Sequence, residues 1–169
     1  MQRSARRSTA RLIGAALLVI GMFVASAPAS LAYSPPDRYP YPERSEPRPR
    51  RGAKAAVAAA YSAIGVKYKW GGDHPKEGFD CSGLTMWSWR HGGVDLPHSS
   101  AAQYTATRRV SRANLRPGDL LFFYRPISHV AMYVGGNKMI HARRSGSVVR
   151  VDRITSYWWS VYVGAGRPR

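Results

Sequence analysis

The sequence predicts an α+β domain in which helices come first and an antiparallel β-sheet follows. Three observations carry that expectation. Residues 54–92 hold an alanine-rich stretch and a second helical segment, apolar β-rich runs recur from Leu120 onward, and 169 residues suit one domain of ordinary size. With 44% hydrophobic residues the chain has enough apolar material for a core, which excludes general disorder.

Residues 1–32 read as an export signal. Arg3, Arg6, Arg7 and Arg11 precede an apolar run from Leu12 to Val24, and Ser30 and Ala32 then occupy the small-residue positions of a cleavage site. The run is too short to span a bilayer comfortably, so no stable membrane anchor is expected after cleavage. Residues 33–51 hold six of the twelve prolines, interleaved with Arg, Glu and Tyr. Such a stretch cannot form a core and reads as an extended linker. The folded domain is expected over residues 52–169.

Within that domain, residues 54–64 form a helix closed by Gly65, the residue type that favours the left-handed position after a helix. Asp80 stands directly before Cys81, Leu84 and Trp87, with Gly92-Gly93 behind them, and reads as the N-cap of a second helix. Ser99 or Ser100 opens a short third helix through Gln103 and Tyr104. Arg116-Pro117-Gly118-Asp119 is a turn signature. Beyond it, residues 120–124, 129–134, 138–141, 148–151 and 158–163 have the apolar, β-branched and aromatic texture of strands.

The 26 Lys and Arg against 9 Asp and Glu give a formal charge of +17, which suits an anionic polymer as partner. No zinc-finger spacing, Walker loop, GxGxxG or internal repeat accompanies the charge, so nucleic acid is not the expected partner. Four of the positive charges fall in the export signal. Residues 52–169 keep 17 basic and 6 acidic residues, a net +11.

Cys81 is the single cysteine, which excludes an intrachain disulfide and every all-cysteine metal site. As the first residue of a helix it would sit among unpaired N–H groups at the positive end of the macrodipole, a placement that lowers a thiol pKa. Small neighbours, Gly71, Gly72, Ser82 and Gly83, leave room for a substrate backbone. A cysteine nucleophile needs a base, and the base needs an orienting group.

Hairpin arithmetic selects the base. If Gly135-Gly136-Asn137 is a three-residue loop, Val134 pairs with Lys138 and Ala131 with His141. His129 then shares a sheet face with His141 as a diagonal neighbour about 7–8 Å away by Cα. A two-residue loop would shift the register by one and put the histidines on opposite faces. Two histidines on one face, across from the helix bearing the cysteine, make a Cys81-His129-His141 constellation with His129 as base and His141 as orienter. No HExxH motif or acidic ligand cluster accompanies it, so no metal or other cofactor is expected.

Tyr68-Lys69-Trp70-Gly71-Gly72, Phe79-Asp80-Cys81-Ser82-Gly83-Leu84, Leu115-Arg116-Pro117-Gly118-Asp119-Leu120, the run from His129 to Gly135, and Met139-Ile140-His141-Ala142 closely resemble the NlpC/P60 family, in order and spacing. The resemblance implies a papain-like core and a secreted cell-wall hydrolase acting on peptidoglycan. The implied reaction is a cysteine peptidase cut of the stem peptide between D-γ-glutamyl and a diamino acid, usually diaminopimelate. It implies Cys81 as nucleophile, His129 as base, His141 as third polar residue, Tyr68 near the oxyanion, and Asp80 and Ser82 as substrate contacts. An amidase releasing the stem from muramic acid and a non-catalytic basic wall-binding domain are the alternatives. The expected state is a monomer whose partner is the anionic wall.

Overall fold

The computed structural model describes residues 51–169; the export signal and all but the last residue of the proline-rich segment lie outside the described residues. Helix α1 spans Arg51–Ser62, and α2 spans Cys81–His91 after a two-stranded hairpin of β1, Asp73–His74, and β2, Gly78–Phe79. Helix α3, Ser100–Ala106, leads into β3, Arg108–Val110. The remaining elements are β4, Leu120–Phe123, β5, His129–Gly135, β6, Lys138–His141, β7, Arg150–Arg153, α4, Ser156–Ser160, and β8, Tyr162–Arg167. The main sheet is antiparallel in the order β3-β8-β4-β5-β6-β7.

Strand alternation divides the apolar residues between two layers. Leu120, Phe122, Val130, Met132 and Ile140 pack under α1 and α2 with Ala56, Val57, Leu84 and Trp89. Leu121, Phe123, Ala131, Met139 and Ala165 face the other way and pack with Trp158 of α4. The sheet is therefore covered on both faces, and its central strands are buried along their whole length.

The expected elements are present, with four differences that have physical causes. The strand expected at 120–124 stops at Phe123 because Tyr124 turns into the left-handed region at φ 71°. The strand expected at 148–151 is displaced to Arg150–Arg153. Val148 bridges Lys67 instead, and Val149 exchanges backbone hydrogen bonds with Gly65 and Val66.

The run expected as a strand at 158–163 divides into α4 and β8, so Trp158 and Trp159 lie on a helix. β8 continues through Gly164-Ala165-Gly166, residues that read poorly as strand. A Cβ on Gly164 would press on the Tyr104 ring at 3.2 Å, and one on Gly166 would lie 1.9 Å from the Thr107 hydroxyl, so packing is tight at the first glycine and leaves no room at the second.

The fourth difference concerns the β5–β6 turn. It is a two-residue Gly136-Asn137 turn, with φ 56° and 54°, and Gly135 pairs with Lys138. A bulge at Val134 absorbs the extra residue, so Tyr133 still faces Met139 and Met132 faces Ile140. The bulge restores the register that a three-residue loop would have set, and both histidines fall on one face.

Candidate active site

Asp80 organises the start of α2. Its carboxylate accepts hydrogen bonds from the N–H of Gly83 at 2.7 Å, the N–H of Gly71 at 3.0 Å and the Ser82 hydroxyl at 3.0 Å, and His98 Nε2 lies 3.1 Å away. The N-cap expected from the sequence is thus also the clamp that ties α2 to the loop before β1 and to the segment before α3. Gly83 makes the approach possible, since a Cβ there would lie 2.0 Å from the Gly72 carbonyl oxygen.

This clamp places Cys81 at one wall of an open cleft of roughly 650 Å³. Tyr68, Asp80, Ser82 and His129 share the cleft lining, together with Trp70, His98 and Arg143. Tyr68 is held by its N–H to the Ser147 carbonyl at 2.9 Å, and its hydroxyl is pushed to a higher pKa by burial and by Cys81 and Asp80. The hydroxyl is accordingly a protonated donor at neutral pH.

Both histidines project from the sheet face that carries Trp158, the opposite face from α2. His129, the first residue of β5, stacks on Trp158 with ring centroids 5.6 Å apart, and His141 meets the same indole edge-on at 5.3 Å. Cys81 and His129 line the same cleft at the end of the sheet, and the N–H of Val130, the residue after His129, acts on the sulfur. The site therefore straddles the beginning of β5.

Behind His129 runs a buried chain of hydrogen bonds. His129 Nε2 lies 2.9 Å from His141 Nδ1, and His141 Nε2 lies 3.1 Å from Asp152 Oδ2. Arg150 donates to the same carboxylate oxygen from Nε at 3.2 Å and from its terminal nitrogen at 3.0 Å. His141 does not line the cleft; it is fully buried behind His129.

The carboxylate end of the chain fixes the protons. Burial pushes the Asp152 carboxyl up, but hydrogen bonds from His141 and Arg150 outweigh it and hold the group below its ordinary range, so it is ionised and only accepts. His141 Nε2 must then donate, which leaves Nδ1 as acceptor. His129 Nε2 donates to that atom, and His129 Nδ1 keeps a free lone pair for the thiol. This assignment of tautomers follows from the hydrogen-bond network.

Burial governs the remaining charges. The His129 imidazole is pushed down to about 3 by burial, with His141 and Arg143 adding to the shift. Burial also lowers His141, against the opposing pull of Asp152. The Cys81 thiol is raised by burial despite backbone hydrogen bonds from Val130, Ser82 and Cys81 itself, and Asp80 pushes it further up. This corrects the expectation that the helix start would depress the thiol: desolvation outweighs the N–H groups, and a neutral thiol and a neutral imidazole share the cleft.

Sequence reasoning missed Asp152 and Trp158. Asp152 follows from the same alternation that paired the histidines: His141 faces Arg150 across β6–β7, and Asp152 is two residues further along the same face. The misplaced strand start at 148 concealed it. Trp158 was obscured by its assignment to a strand.

A helix-start thiol and a strand-borne imidazole pair, set on an antiparallel sheet covered on both faces, define an α+β domain. Residues 65–167 match the model of the NlpC/P60 family, and the chain belongs to that family. It is 45% identical over 97 residues to a probable endopeptidase of Mycobacterium tuberculosis, an alignment covering 57% of this chain and 25% of the relative. It is 39% identical over 118 residues to the gamma-DL-glutamyl hydrolase of Bacillus subtilis, covering 66% of this chain and 29% of that protein. The chain thus spans about a quarter of the length of the curated relatives it matches. The solved structure of the peptidoglycan hydrolase RipB from Mycobacterium tuberculosis superposes with a TM-score of 0.63 at 30% identity, covering 70% of this chain and 65% of that one.

Proposed function

We propose that the protein is an exported cell-wall hydrolase, a thiol peptidase that cuts peptidoglycan stem peptides at the bond between D-γ-glutamyl and a diamino acid such as diaminopimelate. The observation that carries this reading is the hydrogen-bonded chain from His129 through His141 to Asp152, which leaves one His129 nitrogen unprotonated in the cleft that Cys81 also lines. A domain that merely bound the anionic wall would need no such relay. Family membership and the names of the relatives supply the substrate class.

In the proposed reaction the substrate amide lies in the cleft with its carbonyl carbon over the Cys81 sulfur. His129 Nδ1 takes the thiol proton as the sulfur attacks, which yields a tetrahedral oxyanion. The N–H groups of Cys81 and Ser82 and the Tyr68 hydroxyl stabilise that charge in this reading. The new imidazolium leans on His141, whose own Nε2–H is held by ionised Asp152, so charge developing on His129 is met by a fixed negative group two hydrogen bonds away. His129 then gives its proton to the leaving amine. Water, activated by the same nitrogen, clears the acyl-enzyme and restores the thiol. The resting neutral pair fits this sequence, because the thiolate is needed only as the substrate arrives.

Asp80 and Ser82 are expected to face the substrate across the cleft, although the Asp80 carboxylate is already engaged by four partners. The basic domain, at a net +11, draws the enzyme to an anionic wall outside the cytoplasm. No helix among the described residues is long and apolar enough to cross a membrane.

Mass spectrometry of muropeptides before and after digestion tests the assignment. Release of a stem-derived peptide that begins at the diamino acid supports the γ-glutamyl cut. Release of intact stem peptide from muramic acid would replace it with an amidase, and unchanged muropeptides would overturn the enzymatic reading.

A further inference from the structure

We propose that Arg143 and Arg144 form a carboxylate-recognition subsite, which selects substrates bearing a free carboxylate beside the cleaved amide. This deepens the peptidase reading of the Cys81 cleft and rests on it. Both residues line that cleft together with Tyr68 and Trp70.

The first argument is one of unmatched charge. The acidic residues of the described segment are Asp73, Glu77, Asp80, Asp95, Asp119 and Asp152, and all but Asp73 are committed to ion pairs elsewhere. Glu77 holds Lys69, Asp95 holds Arg90, Asp119 holds Arg167 and Asp152 holds Arg150. No ion pair reaches Arg143 or Arg144 among the described residues. Two adjacent guanidinium groups on a cleft wall without an internal carboxylate favour an anion from outside, and their planar forks match a carboxylate with two parallel hydrogen bonds.

The second argument is rigidity. The segment carrying the arginines is a tight turn in which the Ser147 hydroxyl and N–H both donate to the Arg144 carbonyl, at 2.5 and 3.1 Å. The turn is pinned beside the site by the Tyr68 N–H to Ser147 carbonyl bond and by the Lys67–Val148 bridge. The Arg143 guanidinium lies 5.4 Å from the Trp158 ring centroid, the same indole that supports both histidines. Its charge also acts on His129 and His141. Binding an anion there would cost little ordering.

Calorimetric titration of the Cys81→Ala protein provides the test, with a γ-D-glutamyl-diaminopimelate peptide as probe. Two further probes carry a carboxamide, one on the glutamyl α-carboxyl and one on the diamino acid. At least one amide should bind about tenfold more weakly than the free acid, and its position identifies the carboxylate read. Adding Arg143→Gln and Arg144→Gln should shrink the acid-to-amide ratio below about threefold, and Arg144→Gln alone, at an exposed side chain, should shrink it part of the way. Equal binding of acid and amides by the parent, or a ratio that survives both substitutions, would overturn the proposal. Failure of the wild-type protein to hydrolyse the free-acid peptide would overturn the peptidase reading while the binding comparison stands. No binding of any probe would overturn both.

Discussion

Asp152 decides which nitrogen of His129 carries the proton, although it lies two hydrogen bonds from that imidazole. Asp152→Ala removes the acceptor that fixes the His141 tautomer, and kcat should fall by roughly 10²-fold or more with little change in KM. Asp152→Asn should recover most of that loss. His141 and Arg150 both address the same carboxylate oxygen, and an amide oxygen turned to that position accepts from both. Equal loss in the two variants would show that charge, rather than tautomer control, is the contribution. Cys81, His129 and His141 could be singled out as candidates from the sequence because a lone cysteine, a capped helix and strand parity each constrain them. Asp152 was not, because the apolar Val148-Val149 pair drew the expected strand start two residues too early.

The site depends on two local devices, one in α2 and one in the β5–β6 hairpin. At the start of α2, Gly83 lets the helix backbone touch the Gly72 carbonyl, so Gly83→Ala forces the cysteine-bearing helix away from the loop that lines the cleft. Chemical denaturation should show a loss of about 1–3 kcal/mol, the cost of overpacking, and peptide turnover should fall with it. A variant as stable and active as the parent would contradict the tight contact. In the hairpin, the Val134 bulge compensates a turn one residue shorter than parity requires. The pairing of the histidines was therefore readable while the turn was not, since Gly135-Gly136-Asn137 suits either loop and only the folded register distinguishes them. The glycines of β8 obscured that strand in the same way: they read as breakers, yet Tyr104 packs tightly against Gly164 and Thr107 occupies the space a side chain at Gly166 would need.

Across the whole molecule, two buried neutral histidines tie stability to pH. In the unfolded chain His129 takes a proton near its ordinary 6.5, whereas in the fold it resists until about 3. As pH falls the unfolded state binds that proton first, so stability is fully present above the ordinary value and declines through the interval between the two. His141 acts in the same direction. The Tm should be level from about pH 8 to 7 and fall steadily from about pH 6.5 to 4, with a shallower fall in His129→Gln. A level Tm across that lower interval would contradict the neutral buried pair. Charge acts at longer range. Digestion of intact wall should weaken as salt rises from about 0.05 to 0.5 M, while cleavage of a short soluble peptide should change much less. Equal salt response for both substrates would remove the role given to the domain's net charge.

The most direct measurement is a comparison of wild-type and Cys81→Ala proteins on purified muropeptides, with the wild-type reaction quenched rapidly in acid for peptide mapping. Wild type should release the diamino acid-containing fragment and carry a transient acyl mass on the peptide that contains Cys81. The variant should keep its fold by circular dichroism, release no fragment and carry no adduct. Fragment release by purified Cys81→Ala, or an acyl group mapped to any other residue, would contradict the assignment of Cys81 as nucleophile.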